Sequence, residues 1–357
     1  MNKIQNYIAL GQEIYVGLED SKKNWKLCVR SNGVVINEAN MPADYQNLRN
    51  YFNNKFPKCK IHVMYEAGFR GFSLYDKIVA DGWKCVIIPP HLVTEEKCNR
   101  QKNDKTDCRR LAKNLENNDY KKCFVPDEQL RIDRQFSRMY AQIRKDITRT
   151  CNRIRRALEF HGLDNNFKSG RWYESDYKNL LQKLNSLKIP SLLLIAFEKY
   201  MHELVFLWDM RKDVYNTLKE LAKSERYKHS VDLLKSAPGI GILTAIRLVL
   251  EWGNLVRFSR KESFANFLGL IPSEQSSGET EHKGHITKQG NRQVRAMLIE
   301  SSWTAIKYDP VLYDKFNRVI KNCGSKKMAI VAVARKLALR LRTLLLNDQF
   351  YKIGLVA

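Results

Sequence analysis

The chain has 357 residues, 44% of them hydrophobic and 28% charged, which is enough apolar material for more than one core and too much for a disordered chain. Lys and Arg number 62 against 38 Asp and Glu; the net charge of +24 points to a polyanion as partner, nucleic acid before membrane. There is no apolar run long enough for a membrane span, no secretory signal and no C-x-x-C pair among the eight cysteines, so reduced thiols in a cytoplasmic, nucleoid-associated protein are expected and a zinc ribbon is not.

In chain order, "EIYVGLE" reads as a strand, and "NWKLCVRS" and "VVINEA" as a hairpin around Ser31-Asn32-Gly33. A helix is predicted over 44–56, and "IHVMYEA" is the next strand. "GFSLYDKIVADG" is an amphipathic helix closed by Gly82, and "KCVIIPP" a buried strand stopped by Pro89-Pro90. "KNDKTDCRRLA" then leads into a helix. Antiparallel strands followed by strand–helix–strand–helix predict an α/β, RNase H-like domain over 1–125. Over 126–228 strand signals fade. Two long antiparallel helices, a short coiled coil, are predicted, their arginine-rich faces either solvated or set against nucleic acid.

The last part, 229–357, reads as a mainly α domain. "LLKSAPGIGILTAIRLVLEW" has a helix-hairpin-helix pattern. Gly239 and Gly241 either let backbone N–H groups reach a phosphate or simply permit a tight turn. "GLIPSEQSSGETEHKGHITKQGNRQVR" reads as a polar loop between helices; its Lys283, Lys288, Arg292 and Arg295, with His282 and His285, read as phosphate contacts or as a solvated turn. "KKMAIVAVARKLALRLRTLLL" closes the chain as a core-packing amphipathic helix.

Two acids stand out in the basic stretch, Asp104 and Asp107, among Lys102, Lys105, Arg109 and Arg110. Locally they read as a helix start, with Asp104 at the N-cap and Asp107 at N3. A second role is compatible with the first. Glu19 and Glu66 end apolar strands of the same α/β layer and point out of the sheet edge, while Asp104 and Asp107, one turn apart, share a helix face. Four converging carboxylates need a cation, because like charges raise one another's pKa. Hard oxygen ligands suit Mg²⁺, and two ions can activate a nucleophile and stabilise the leaving oxygen at a phosphodiester. The surrounding lysines and arginines would hold the backbone of DNA or RNA.

This order of motifs resembles the DEDD transposases of bacterial insertion sequences, the IS-one-ten and IS-eleven-eleven recombinases. The resemblance rests on "YVGLEDSKKNWKLCV", "YEAGFRGFSLYDKIVADGW", "KNDKTDCRRLA", "LLKSAPGIGILTAIRLV", "FANFLGLIP", "GHITKQGNRQVRAMLIESSW" and "AIVAVARKLA", which cover most of the chain. It implies a RuvC-like catalytic domain, a coiled-coil linker that oligomerises and a helical C-terminal transposase domain. It implies two Mg²⁺ ions, replaceable by Mn²⁺, on Glu19, Glu66, Asp104 and Asp107. It implies a nucleophilic serine after "GLIP", by position Ser277, with Ser276 and Ser273 as rivals, and a covalent phosphoserine link to DNA. The implied partners are target and donor DNA, a noncoding guide RNA, and a second copy of the chain, as dimers assembling to tetramers. The family's first acid is usually aspartate. Here Glu19 is the ligand, or Asp20 beside it is, or the site is weakened. A DNA invertase without guide RNA, a junction nuclease and a catalytically inert nucleic-acid-binding homologue are the alternatives.

Overall fold

The computed structural model describes residues 11–90, 104–277 and 280–354, and for residues 104, 274–277 and 280–283 the backbone alone. Two compact units result, Met1–Pro126 and Asp127–Ala357.

The first unit is built on a five-stranded sheet of order β3-β2-β1-β4-β5. Its strands are β1 (Glu13–Asp20), β2 (Asn24–Ser31), β3 (Val34–Pro42), β4 (Lys60–Glu66) and β5 (Lys84–Ile88). The first three form an antiparallel meander, and β4 and β5 join parallel to β1. The β2–β3 turn is the Asn-Gly pair, with φ of 51° at Asn32 and 78° at Gly33. Two successive left-handed residues match the twist of the strands they join, and Asn and Gly adopt that conformation at least cost. Helix α1 (Tyr45–Lys55) starts where the Asp44 side chain accepts the Asn47 amide, and α2 (Ser73–Ala80) is followed by Gly82 at φ 80°.

Period-two alternation decides the faces. Ile14, Val16 and Leu18 of β1 and Ile61, Val63 and Tyr65 of β4 bury with Leu48 and Phe52 of α1 and Leu74 and Ile78 of α2. The opposite face takes α3 (Asp104–Glu116). Leu111 and Leu115 pack on Met64 and Ile88, while Cys108 and Ala112 bury beside Cys28. Positions 108, 111, 112 and 115 form one helical stripe.

The second unit is mostly helical. Helix α4 (Glu128–Phe160) is followed by short helices α5 (Glu174–Lys178) and α6 (Leu180–Ser186) and then α7 (Ser191–Leu221). Helices α4 and α7 run antiparallel: Ile143 buries with Val214 and Leu218, Thr150 donates to Glu203 at 2.9 Å, and Leu158 shares a core with Phe197 and Met201. The C-terminal part holds α8 (Lys228–Lys235), α9 (Ile242–Trp252), α10 (Lys261–Phe267), α11 (Arg292–Tyr308), α12 (Pro310–Cys323) and α13 (Lys326–Asn347) around one core. Asp309 sits within it, where its carboxylate caps α12 at Val311 N, 2.9 Å, pairs with Arg340 at 2.7 Å and accepts the Tyr351 hydroxyl.

The stretch expected as a polar loop between α10 and α11 is instead an antiparallel hairpin, β6 (Pro272–Ser277) and β7 (Thr280–Ile286). "PSEQSS" carries no apolar alternation, so nothing in its hydrophobic pattern announces a strand. The seven described cysteines are free thiols, Cys98 lying outside the described residues. Among the described residues no helix is long and apolar enough to cross a membrane.

Candidate active site

Helix α3 lies against the sheet at Gly17. A Cβ placed there would meet the Cys108 carbonyl oxygen at 2.1 Å, the Ala112 nitrogen at 2.5 Å and Leu111 Cβ at 2.8 Å. A glycine inside an otherwise good strand marks such a close approach, a signal present in "YVGLE". Two further bonds fix the helix. Near its start the Cys108 thiol donates to the Lys26 carbonyl, 3.1 Å. At its end the Glu116 carboxylate accepts from Arg30 Nε at 2.8 Å and from the Gly33 amide at 2.7 Å, in the β2–β3 turn. The helix therefore runs antiparallel to β1, and its first turn lies at the end of the strand that carries Glu19.

That end is where the acids collect. Leu18 is paired with Tyr65, so the same register sets Glu19 beside Glu66, at the carboxyl ends of the two central parallel strands. Glu19 has the parity of Gly17, and Glu66 that of Met64, so both belong to the face that α3 covers. Asp107, 9% exposed, is on the first turn of α3, and its Oδ1 accepts from Arg110 Nη2 at 2.8 Å. Burial pushes the Cys108 thiol up to about 12; the Glu19 amide lies within its reach, and the Glu19 and Asp107 charges act on it. Asp104 opens the helix one turn before, its backbone described and its side chain not.

Asp20 faces the other way. Its carboxylate, 6% exposed, accepts the Trp25 indole N–H at 2.9 Å and pairs with Arg70 Nε at 2.7 Å. Burial pushes its pKa up, against the pull of Arg70. Asp20 is thus committed to holding the loop after β4, and of the two neighbouring acids Glu19 is the one on α3's side.

The donor set is all carboxylate oxygen, the chemistry that a hard divalent cation requires. Among the described residues no three acidic, His or Cys side chains stand close enough to hold an ion as they are. Glu19, Glu66 and Asp107, with Asp104, are the residues that would hold the metal once their carboxylates draw together.

The basic residues of α3 are engaged as well. Arg109 makes a bidentate pair with Glu38 of β3, and Lys105 reaches the same carboxylate at 3.0 Å. Glu38, Lys26, Asn40 and Lys105 line a groove of about 420 Å³ whose floor includes Cys108. Lys102 lies outside the described residues.

In the second unit, Ser277 is the last residue of β6 and pairs with Thr280, the first of β7; Gly278 and Glu279 lie outside the described residues. Ser276 precedes it on the same strand, and Lys283 is on β7; only their backbones are described. Lys288 and Arg292 are exposed. Arg295, 8% exposed, turns inward and donates from Nη1 to the carbonyls of Gly290 at 2.7 Å and Leu268 at 3.2 Å, so it ties the end of the β7–α11 loop to α10. Gly239, φ 83°, lies against α11, where a Cβ would meet the Ser301 carbonyl at 2.4 Å, whereas one at Gly241 would meet nothing within 4 Å. Packing accounts for the first glycine, and the second leaves the N-terminus of α9 open.

The mixed sheet and its strand order are consistent with an RNase H-like domain, and Glu19 and Glu66 lie on the outgoing ends of its central strands. Comparison with known proteins narrows this. A DEDD-type model described as "Transposase" matches residues 16–162, and a model described as "Transposase IS116/IS110/IS902 family" matches residues 231–317. A putative transposase of Sinorhizobium fredii is 26% identical over 85% of this chain and 74% of its own length. The transposase for insertion sequence element IS1111A of Coxiella burnetii is 26% identical over 75% of this chain and 73% of its own. The pilin gene-inverting protein of Moraxella bovis is 30% identical over 30% of this chain and 34% of its own. Bearing both domains in order, the chain belongs to the IS110-type DEDD transposases, and its class is that of the DNA transposase and recombinase enzymes.

Proposed function

We propose that the protein is the RNA-guided DNA transposase of an insertion sequence, which cuts and exchanges strands through a covalent phosphoserine intermediate. The observation that carries the catalytic part is the meeting of Glu19, Glu66 and the first turn of α3 at one sheet edge, held there by the glycine contact at Gly17. Divalent metal, Mg²⁺ or Mn²⁺, would supply charge stabilisation at the scissile phosphate and lower the pKa of a bound hydroxyl. Glu19, Glu66, Asp104 and Asp107 would hold the ions. Ser277 Oγ forms the bond to phosphorus as one bridging P–O bond breaks, losing its proton while the departing oxygen gains one. The serine belongs to the second unit and the acids to the first, and a second subunit brings them together, as dimers that assemble to tetramers.

A polyanion has surface to bind. Arg144, Lys145, Arg149 and Arg156 are exposed along α4, and Lys288 and Arg292 stand beside the serine hairpin. Target DNA, donor DNA and the element's noncoding RNA are the ligands assigned to them. The test is a protein–DNA adduct that survives denaturation, formed with Mg²⁺ from DNA carrying the element junction, with and without the RNA. Loss of the adduct in both Ser277→Ala and Asp104→Ala supports the reading. Free nicked ends that persist in Ser277→Ala would replace it with a nuclease, and binding without chemistry in any variant would make the protein an inert homologue. A second reading, a DNA invertase that needs no guide, is favoured by the similarity to the pilin gene-inverting protein; adduct formation without RNA would select it.

A further inference from the structure

The loops that leave β1 and β4 carry a feature that the acids do not use. Phe69, three residues beyond Glu66, is 61% exposed. Two cations lie close to its ring, Lys22 Nζ at 5.5 Å and the Arg70 guanidinium at 5.3 Å from the centroid. Single exposed apolar residues are common on protein surfaces, but this one is held in place. Arg70 pairs with Asp20 at 2.7 Å, donates to the carbonyls of Ser21 at 3.2 Å and Lys22 at 3.1 Å, and lies over the Trp25 ring at 5.5 Å. Trp25 in turn donates to Asp20. The lock joins the β1–β2 turn to the β4–α2 loop, so Lys22 and Phe69 are presented together. Three residues of chain keep Phe69 within about 11 Å of Glu66. In open α/β sheets ligands meet the carboxyl ends of the strands, which is where this pair stands.

We propose that Phe69 and Lys22 form a stacking platform for one unpaired base of the DNA strand being cut, Phe69 taking the face of the base and Lys22 the adjoining phosphate. An exposed ring flanked by cations is the device by which proteins hold single strands without reading their sequence. The platform fixes the strand next to the acids. It rests on the proposed function for the identity of that strand, and Phe69 is a positioning residue that takes no part in the chemistry.

The experiment uses the full-length protein and a single-stranded DNA carrying 5-iodouracil beside the presumed cleavage position, irradiated and mapped by peptide mass, with affinity measured in parallel. The adduct is expected at Phe69. Phe69→Ala lowers affinity roughly 5- to 150-fold, the range for loss of one stacked base, and Phe69→Trp restores it. Lys22→Gln lessens the salt dependence by about 0.7 in log–log slope. Both side chains are exposed, and an unchanged melting temperature confirms that the fold is kept. Crosslinking that maps elsewhere, unchanged affinity in Phe69→Ala, or preferential crosslinking of Phe69 to an RNA oligonucleotide overturns the proposal. Asp104→Ala separates the two readings, since it abolishes cutting and leaves the crosslink. If it cut normally, the assignment of the acids would fall while the platform stood.

Discussion

Glu19 and Asp20 are neighbours with separate duties, because strand alternation turns them to opposite faces. On the proposed assignment of Glu19 to the metal, Glu19→Gln is expected to reduce strand cutting by about 100-fold or more, while Glu19→Asp stays within about tenfold. Asp20→Asn leaves Arg70 without its carboxylate and costs about 1–3 kcal/mol of stability; it also loosens the loop that presents Lys22 and Phe69, so strand affinity falls while cutting at saturating DNA is retained. Parallel melting curves and single-turnover assays separate the two. Asp309 is the other residue on which much depends. Burial alone would raise its pKa, but the Tyr351 hydroxyl and Arg340 hold it below the ordinary carboxylate value. Its folded form gives up a proton more readily than the unfolded chain, so the stabilisation is complete above the unfolded pKa and disappears as pH falls through the lower folded one. Asp309→Asn strands a buried guanidinium, with a loss of about 3–5 kcal/mol near neutrality. Urea titrations at acid and neutral pH should show that the variant has lost this acid-side dependence.

At the scale of elements, α3 is the part that turns a sheet into a site. It carries Asp104 and Asp107, and it can rest on β1 only because position 17 has no side chain. Gly17→Ala would lift the helix off the strand. Overpacking of this kind costs about 1–3 kcal/mol, several degrees of melting temperature in a unit of this size, and it should depress cutting beyond what the stability loss explains. The strand acids were legible in the sequence because each ends an apolar run, and the β2–β3 turn because Asn-Gly demands it. Helices α4 and α7 were legible from their apolar period, whereas the short α5 and α6 were not expected between them. The serine hairpin was not legible, since a ribbon polar on both faces has no hydrophobic period. Nor was the inward turn of Arg295, which depends on where two carbonyls of a distant loop come to lie.

At the scale of the molecule, a net charge of +24 sets the terms of any nucleic-acid contact. Binding that engages six or more phosphates of a duplex should weaken with salt at a log–log slope of about −5 or steeper, measured by titration between low and physiological ionic strength. Part of that charge is already neutralised within the chain, and Glu38 is an instance. Its carboxylate holds both Lys105 and Arg109 beside the groove on α3, in the place where a phosphate would be welcome. An incoming anion must therefore evict a resident. A mononucleotide that does so exchanges one partner for another and gains little, whereas a polymer that also engages lysines and arginines elsewhere recovers the loss many times over. If a strand does run through this groove, the groove would act as a threshold, indifferent to the small phosphates that fill a cell and responsive to the length of the strand.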